Sequence, residues 1–382
     1  MFTPLTRSEK ITQVELGLRP HRSSQAGRAR PRPLSERMQM YCVPGVSVAV
    51  IENAALDWAK GYGTLDARLG RPVTPATLFH AGAVSKLVTA VAVLRLVADG
   101  VFDLDTDVNT WLKTWRVPQN DLTRENPVTL RRLLAHQSGI IDPECSFGTL
   151  RPGEPFPRPA DILAGRTRFY PGPVSVTVEA ECDFNYSDAG FCLIEQVMED
   201  ATGRSFESLV KSLVLAPLGM EDTLYQRDAT LGGVSGAAVG HDRHGEPIEG
   251  ERAVYPCLAA TGLWSTPADL AKLLITLMHS LEGSGGLLPY HLAREMVTAH
   301  GCTDWSGLGV FVEGTGHDCR IFSQGWGAGF QCMVVAYPLL GTGAVVMTNS
   351  DPGRPQSHAL TGEIMRAIGH AYRWPGHVDV GW

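Results

Sequence analysis

The segment Gly82-Ala83-Val84-Ser85-Lys86 stands at the head of an apolar run, with a small residue and a lysine three positions apart. In a helix that spacing puts both side chains on one face, about one turn apart, at the positive end of the helix dipole. When the small residue is serine, this is the Ser-x-x-Lys arrangement. Its hydroxyl attacks an acyl carbon, and the lysine held beside it lowers the cost of removing the proton. Position 83 here is alanine, and a methyl group cannot attack a carbonyl. Ser85 is no substitute, because the residue three positions on is Val88 and the adjacent Lys86 leaves the helix from a different face.

The elements that must position these residues are legible around them. Lys86 to Asp99 is apolar nearly all round and stops at Gly100, which predicts a core helix. Further helices are expected at Thr129 to His136, Gly190 to Ala201 with Gly203 as its stop, Phe206 to Val214, and Pro267 to Ser280 capped by Ser265 or Thr266. Val46 to Ile51 and Leu56 to Gly63 read as a hairpin turning at Asn53, and Gln331 to Tyr337 and Gly343 to Asn349 as a second strand pair. Strands at both ends around a helical middle predict an α+β fold, in which the N- and C-terminal strands share one antiparallel sheet flanked by helices, beside a mainly helical second region. The expected organisation is a single catalytic domain over 38–382, its sheet part at about 38–80 and 260–382 and its helical part at about 81–259. Residues 1–37 are expected to form an N-terminal extension. Its Arg-, Pro- and Ser-rich stretch from Pro20 to Arg37 has no periodicity and reads as mobile or surface-hugging, so that folded structure would begin at Pro44-Gly45.

Joined in order, several segments resemble the β-lactamase-related serine hydrolases, a family that includes class C β-lactamases, DD-peptidases, family VIII esterases and some transacylases. They are Pro44 to Val50, Thr77 to Ala90, Leu104 to Val108, Leu133-Leu134-Ala135-His136-Gln137-Ser138-Gly139, and Gly262 to Leu270. Each is weak alone, but their joint order covers most of the chain. The resemblance implies that position 83, when serine, is the nucleophile and Lys86 its activator. Tyr186, in Tyr186-Ser187-Asp188, falls on the family's Tyr-x-Asn motif as general base and then general acid, a role that calls for a phenol pKa lowered by a nearby cation. Asp188 departs from the usual asparagine. The family's Lys-x-Gly or His-x-Gly motif falls on Ser323-Gln324-Gly325, followed by Trp326, and these four with Asp188 are the expected substrate-binding residues. Ser323 replaces the usual cation, which weakens recognition of a substrate carboxylate and turns the expectation from β-lactams toward esters and thioesters. The oxyanion hole would use the backbone N–H groups of positions 83 and 326.

These readings lead to a serine-dependent acyl-transfer enzyme, an esterase, amidase or transacylase, acting on a small-molecule acyl donor with water, an amine or an alcohol as acceptor. Ala83 is read as a deliberate replacement of the serine, made to trap a ligand. Two rivals stand beside this: a naturally nucleophile-less binding protein, and an enzyme in which Tyr186 and Lys86 do acid–base work without a covalent step. No metal or organic cofactor is implied. His136 is read as architecture, a charge suited to a helix end, and His241 to Glu246 as a turn rather than a metal site.

The bulk properties agree with a small-molecule role. The chain has 382 residues, 44% of them hydrophobic and 19% charged, which is the composition of an ordinary globular protein. A net charge of −7 without a basic stripe through the main body argues against nucleic acid as a partner. No secretory leader and no membrane span is visible, so the expected location is the cytoplasm. Eight scattered cysteines without a C-x-x-C pair are expected to be free thiols.

Overall fold

The computed structural model describes residues 5–20, 30–228, 230–231 and 234–376. Its strands are β1 (Gly45–Glu52), β2 (Ala55–Gly63), β3 (Phe79–His80), β4 (Leu224–Tyr225), β5 (Leu263–Ser265), β6 (Phe311–Glu313), β7 (Arg320–Gly327), β8 (Phe330–Tyr337) and β9 (Thr342–Thr348). Its helices are α1 (Arg7–Leu16), α2 (Leu34–Met40), α3 (Ser85–Ala98), α4 (Asp121–Glu125), α5 (Leu130–Leu134), α6 (Pro159–Leu163), α7 (Asp188–Thr202), α8 (Phe206–Val210), α9 (Leu258–Thr261), α10 (Pro267–Glu282), α11 (Tyr290–Met296) and α12 (Leu360–Ala371).

Six strands form one antiparallel sheet in the order β2-β1-β9-β8-β7-β6, so the first and last strands of the chain do pair, Val46 opposite Thr348 and Ile51 opposite Gly343. Side chains alternate across a strand, and β1 shows the consequence. Val46, Val48 and Val50 face a core completed by Ile364, Met365 and Ile368 of α12, whereas Ala49 and Ile51 face the larger core that holds Leu87, Val91 and Leu94 of α3. The hairpin turn expected at Asn53 is there, with Asn53 and Ala54 both at φ 53°. A small three-stranded sheet, β3-β5-β4, was not legible, because strands of two or three residues leave no periodic trace. It matters because β3 leads directly into the Gly82–Lys86 segment.

The helices fall close to expectation. Gly203 closes α7 in the left-handed conformation at φ 69°, and Thr266 caps α10 by accepting the Asp269 N–H at 3.1 Å. The segment expected as one helix from Phe206 to Val214 instead passes from α8 into a π-type turn at Lys211–Leu215. No helix among the described residues is long and apolar enough to cross a membrane. All eight cysteines are free.

The start of the fold needs correcting. Among the described residues two helices, α1 and α2, precede Pro44, and Val14, Leu18, Leu34 and Met38 are buried against the α12 face of the sheet. Arg37, placed by the sequence in a surface extension, is buried and pairs through both guanidinium arms with Glu363, its Nε donating to Oε2 at 2.6 Å. The signal was weak because α1 buries Val14 alone, so no apolar stripe marks it. Of the Pro20–Arg37 stretch, residues 21–29 lie outside the described residues.

Candidate active site

A tight turn, Gly82–Val84, feeds α3, and Gly82 makes it possible by adopting φ 54°. Ser85 locks that turn. Its Oγ donates to the Gly82 carbonyl at 2.6 Å and accepts the Leu263 N–H at 3.0 Å, tying the helix start to β5. This fully buried hydroxyl is structural, as the helix geometry required. Ala83 is half-buried between two buried neighbours.

Lys86 follows on the same turn and is 3% exposed. Its Nζ donates to the Ala260 carbonyl of α9 at 3.2 Å, pairs with Asp188 Oδ1 at 2.6 Å, and stands 4.7 Å from the centre of the Tyr186 ring. Burial works against its charge, but Asp188 and Tyr186 outweigh burial and raise the Lys86 pKa, so it is an ammonium at neutral pH. Asp188, expected to read substrate, is therefore the counter-ion of this lysine.

The Tyr186-Ser187-Asp188 corner is fixed by groups the sequence did not single out. Ser187 caps α7 by accepting the Gly190 N–H at 2.9 Å and donates to Asp142 Oδ1 at 2.7 Å. The other carboxylate oxygen of Asp142 accepts the N–H groups of Asp188 at 2.6 Å and Ala189 at 3.3 Å. Burial, with the charge of Asp188 adding to it against the Ser187 hydrogen bond, pushes Asp142 up to about 6. Ser187→Ala removes the cap and one partner of Asp142. It is expected to cost about 1–2 kcal/mol in urea unfolding, and an unchanged midpoint and slope would count against this corner being what fixes Tyr186.

His136 lies just beyond α5 at φ 57°. Its Nδ1 accepts the Ser187 N–H at 3.1 Å, which leaves the ring proton on Nε2, and its ring stacks on Tyr186 at 4.4 Å and 25°. Burial, reinforced by the Lys86 charge, pushes its pKa well below 6.5. The expected helix-end cation is thus a buried neutral ring that positions the tyrosine.

Tyr186 is 43% exposed at the open side of this group. Its pKa is raised, first by burial of the phenol and then by Asp188, against the lowering effect of Lys86. The phenol pKa, expected to be lowered by a nearby cation, is instead raised because burial of the phenol outweighs the lowering by Lys86, with Asp188 adding to the rise.

The third segment arrives from β7. Ser323 and Gly325 point to the buried face, and Gln324 and Trp326 to the exposed one. A Cβ on Gly325 would stand 1.8 Å from the Ala81 carbonyl oxygen and 3.3 Å from the Ala83 nitrogen, and a Cβ on Gly82 would stand 2.8 Å from the Trp326 nitrogen. Two glycines therefore let the backbones at 81–83 and 325–326 touch. Gln356, also missed, holds β7 there, its Nε2 donating to the carbonyls of Gly325 at 2.8 Å and Cys332 at 3.1 Å. Ala83, Lys86, Tyr186, Asp188, Gly325 and the Trp326 backbone thus converge, while the side chains of Gln324 and Trp326 are directed to the solvent face. Asp142 left no trace in spacing, and His136 was legible as architecture at a helix end but not as the partner of Tyr186 and Ser187.

The family model described as Beta-lactamase matches residues 32–366. The chain is 28% identical over 363 residues to esterase EstB of Burkholderia gladioli, covering 86% of this chain and 82% of that protein. It is 29% identical over 211 residues to the unguisins hydrolase ungD' of Aspergillus campestris, covering 52% of this chain and 37% of that protein, so the chain spans well under half of this relative's length. Its fold superposes on the octameric penicillin-binding protein homologue of Pyrococcus abyssi with a TM-score of 0.68 at 22% identity, covering 86% of this chain and 74% of that one. With the matched model spanning most of its length, the chain belongs to the β-lactamase family.

Proposed function

We propose that this cleft is built for acyl transfer from a small-molecule ester, thioester or amide through an acyl-serine at position 83, and that with Ala83 in place it binds such substrates without forming the acyl-enzyme. The observation that carries this reading is Lys86, a buried ammonium fixed between Asp188 and the Ala260 carbonyl, one turn from position 83 and beside the Tyr186 ring. A group so placed serves one purpose well, which is to stabilise negative charge on the tyrosine oxygen while a proton moves.

In the serine form, the hydroxyl at position 83 gives its proton to the Tyr186 phenolate as its oxygen bonds to the acyl carbon. Charge on the former carbonyl oxygen falls to the amides of positions 83 and 326, and Tyr186 returns the proton to the leaving group as the acyl–heteroatom bond breaks. Water or an amine or alcohol acceptor then reverses the sequence. Because the Tyr186 pKa is raised, the phenolate is scarce at neutral pH, and turnover by the serine form should climb toward alkaline pH. The likeness to an esterase and a hydrolase supports ester or amide substrates, and Ser323 in place of a cation disfavours those that need a carboxylate anchor.

The test is Ala83→Ser, incubated beside the Ala83 protein with activated esters, thioesters and a chromogenic β-lactam while intact mass is followed. An acyl adduct on the serine form alone is the expected result. Two inert proteins would defeat it and favour a second reading, a binding protein of this fold, which Asp188 supports because it satisfies Lys86 without any hydroxyl at position 83.

A further inference from the structure

Beyond the catalytic groups, a continuous band of rings leaves the site from the tyrosine. His136, stacked on Tyr186, lies 5.5 Å from Phe184. Phe184 lies 4.4 Å from Trp305, Trp305 5.8 Å from Phe311, and Phe311 5.4 Å from Phe322 of β7. Beyond the buried His136 the band opens: Trp305 is 39% exposed, and Phe184, Phe311 and Phe322 are only partly covered, Phe322 packing against the core on the α12 face. Around Trp305 the backbone is held by hydrogen bonds. The Trp305 carbonyl accepts the Val312 N–H at 2.8 Å, and Ser306 bridges to Phe311, so the indole is presented from a closed hairpin. At the far end the band stops at Arg320, whose guanidinium stands over Phe322 and pairs with Glu313.

From this continuity we infer that Trp305, backed by Phe184, forms the wall of a subsite for the leaving-group or acceptor arm of the substrate, and that this arm is aromatic or otherwise broadly apolar. The inference rests on the acyl-transfer reading for which arm is meant. In that reading Tyr186 hands its proton to the leaving group and takes one from the acceptor, so whatever departs or enters does so beside Tyr186, where the band begins. An exposed indole backed by a half-buried phenyl gains most from a flat apolar partner, since an aromatic pair adds attraction beyond the area it buries. A small alkyl arm would leave the wall unused.

The test uses the Ala83 protein, in which binding is read without turnover. Calorimetric titration with 2-naphthyl acetate and with ethyl acetate is compared across the unaltered chain, Trp305→Ala and Trp305→Phe, with thermal melting to establish that each folds. The expected result is that Trp305→Ala weakens the naphthyl ester about 3- to 10-fold, Trp305→Phe retains most of the affinity, and the ethyl ester is indifferent to both. Equal effects on the two esters, or none, would overturn the subsite. The Ala83→Ser protein separates this from failure of the acyl-transfer reading. If it forms no adduct while naphthyl binding still depends on Trp305, the band is a ligand site and the covalent reading fails. If it turns over both esters with KM values unmoved by Trp305→Ala, the covalent reading holds and the subsite does not.

Discussion

Gly325→Ala, made in a chain carrying serine at position 83, is expected to lower acyl transfer by about 10²- to 10³-fold and to destabilise the fold by about 1–3 kcal/mol. The added methyl would stand 1.8 Å from the Ala81 carbonyl oxygen and 2.8 Å from its carbon, both backbone atoms that no rotamer change can move. Nor is β7 free to retreat, because Gln356 holds the Gly325 carbonyl and the strand is paired along its length with β8. The clash must therefore be relieved by parting 81–83 from 325–326, the two stretches that present the amides proposed for the oxyanion. Gly148→Ala is the control, since a methyl there meets nothing within 4 Å. Steady-state kinetics and urea unfolding on both variants check the prediction. Full turnover in Gly325→Ala would mean that the amides of 83 and 326 do not act together on the substrate.

The same contact shows where sequence reasoning reaches and where it stops. Gly325 was found through its place in a motif, and Lys86 and Tyr186 through theirs. Each lies on a long element or at its start, where periodicity and capping leave a record: α3 is apolar all round, and Gly203 and Thr266 mark helix ends as their backbone preferences require. Four strands of the sheet, β1, β2, β8 and β9, were legible for the same reason, each being seven to nine residues long, whereas β7 was met only as a motif and β6, at three residues, left no pattern. What escaped are single long-range contacts. Asp142 reaches the start of α7 across 45 residues and Gln356 reaches β7 across 31, and neither separation has a local signature. Electrostatics escaped too. Asp188 could be seen to differ from asparagine, but that it pairs with Lys86 depends on a 2.6 Å contact between two helix starts, and that the Tyr186 pKa is raised depends first on burial of the phenol. The N-terminal helices were missed because α1 contributes one buried side chain and gains its order from partners near the other end of the chain.

Glu195 lies on α7 behind the active group, fully buried, and Glu195→Gln is expected to flatten the alkaline dependence of stability. One of its carboxyl oxygens accepts the Ala259 N–H at 2.9 Å and faces the Cys257 thiol at 3.6 Å, while the other has no hydrogen-bond partner among the described residues. Burial, opposed by the Ala259 hydrogen bond and assisted by the charge of Glu199, pushes its pKa up to about 8 from 4.5. The folded state therefore keeps this proton over a range in which the unfolded chain has lost it. The stability it contributes is fully present below about pH 4.5 and is lost as pH rises through about 8. Between pH 6 and 9 the loss should be about 2–3 kcal/mol. Glutamine keeps the acceptor for Ala259 and cannot ionise. It gives up about 1 kcal/mol at low pH for an unpaired amide donor but avoids the alkaline loss, so the two proteins should match at about pH 5 and diverge steadily from pH 6 to about 8. The effect reaches the active group because Ala259 adjoins Ala260, whose carbonyl holds Lys86. In the Ala83→Ser background, the rise in turnover toward alkaline pH should consequently extend further in Glu195→Gln than in its parent. Urea unfolding at pH 6, 7, 8 and 9 gives the decisive comparison, and parallel losses in both proteins would show that some other group titrates in this window.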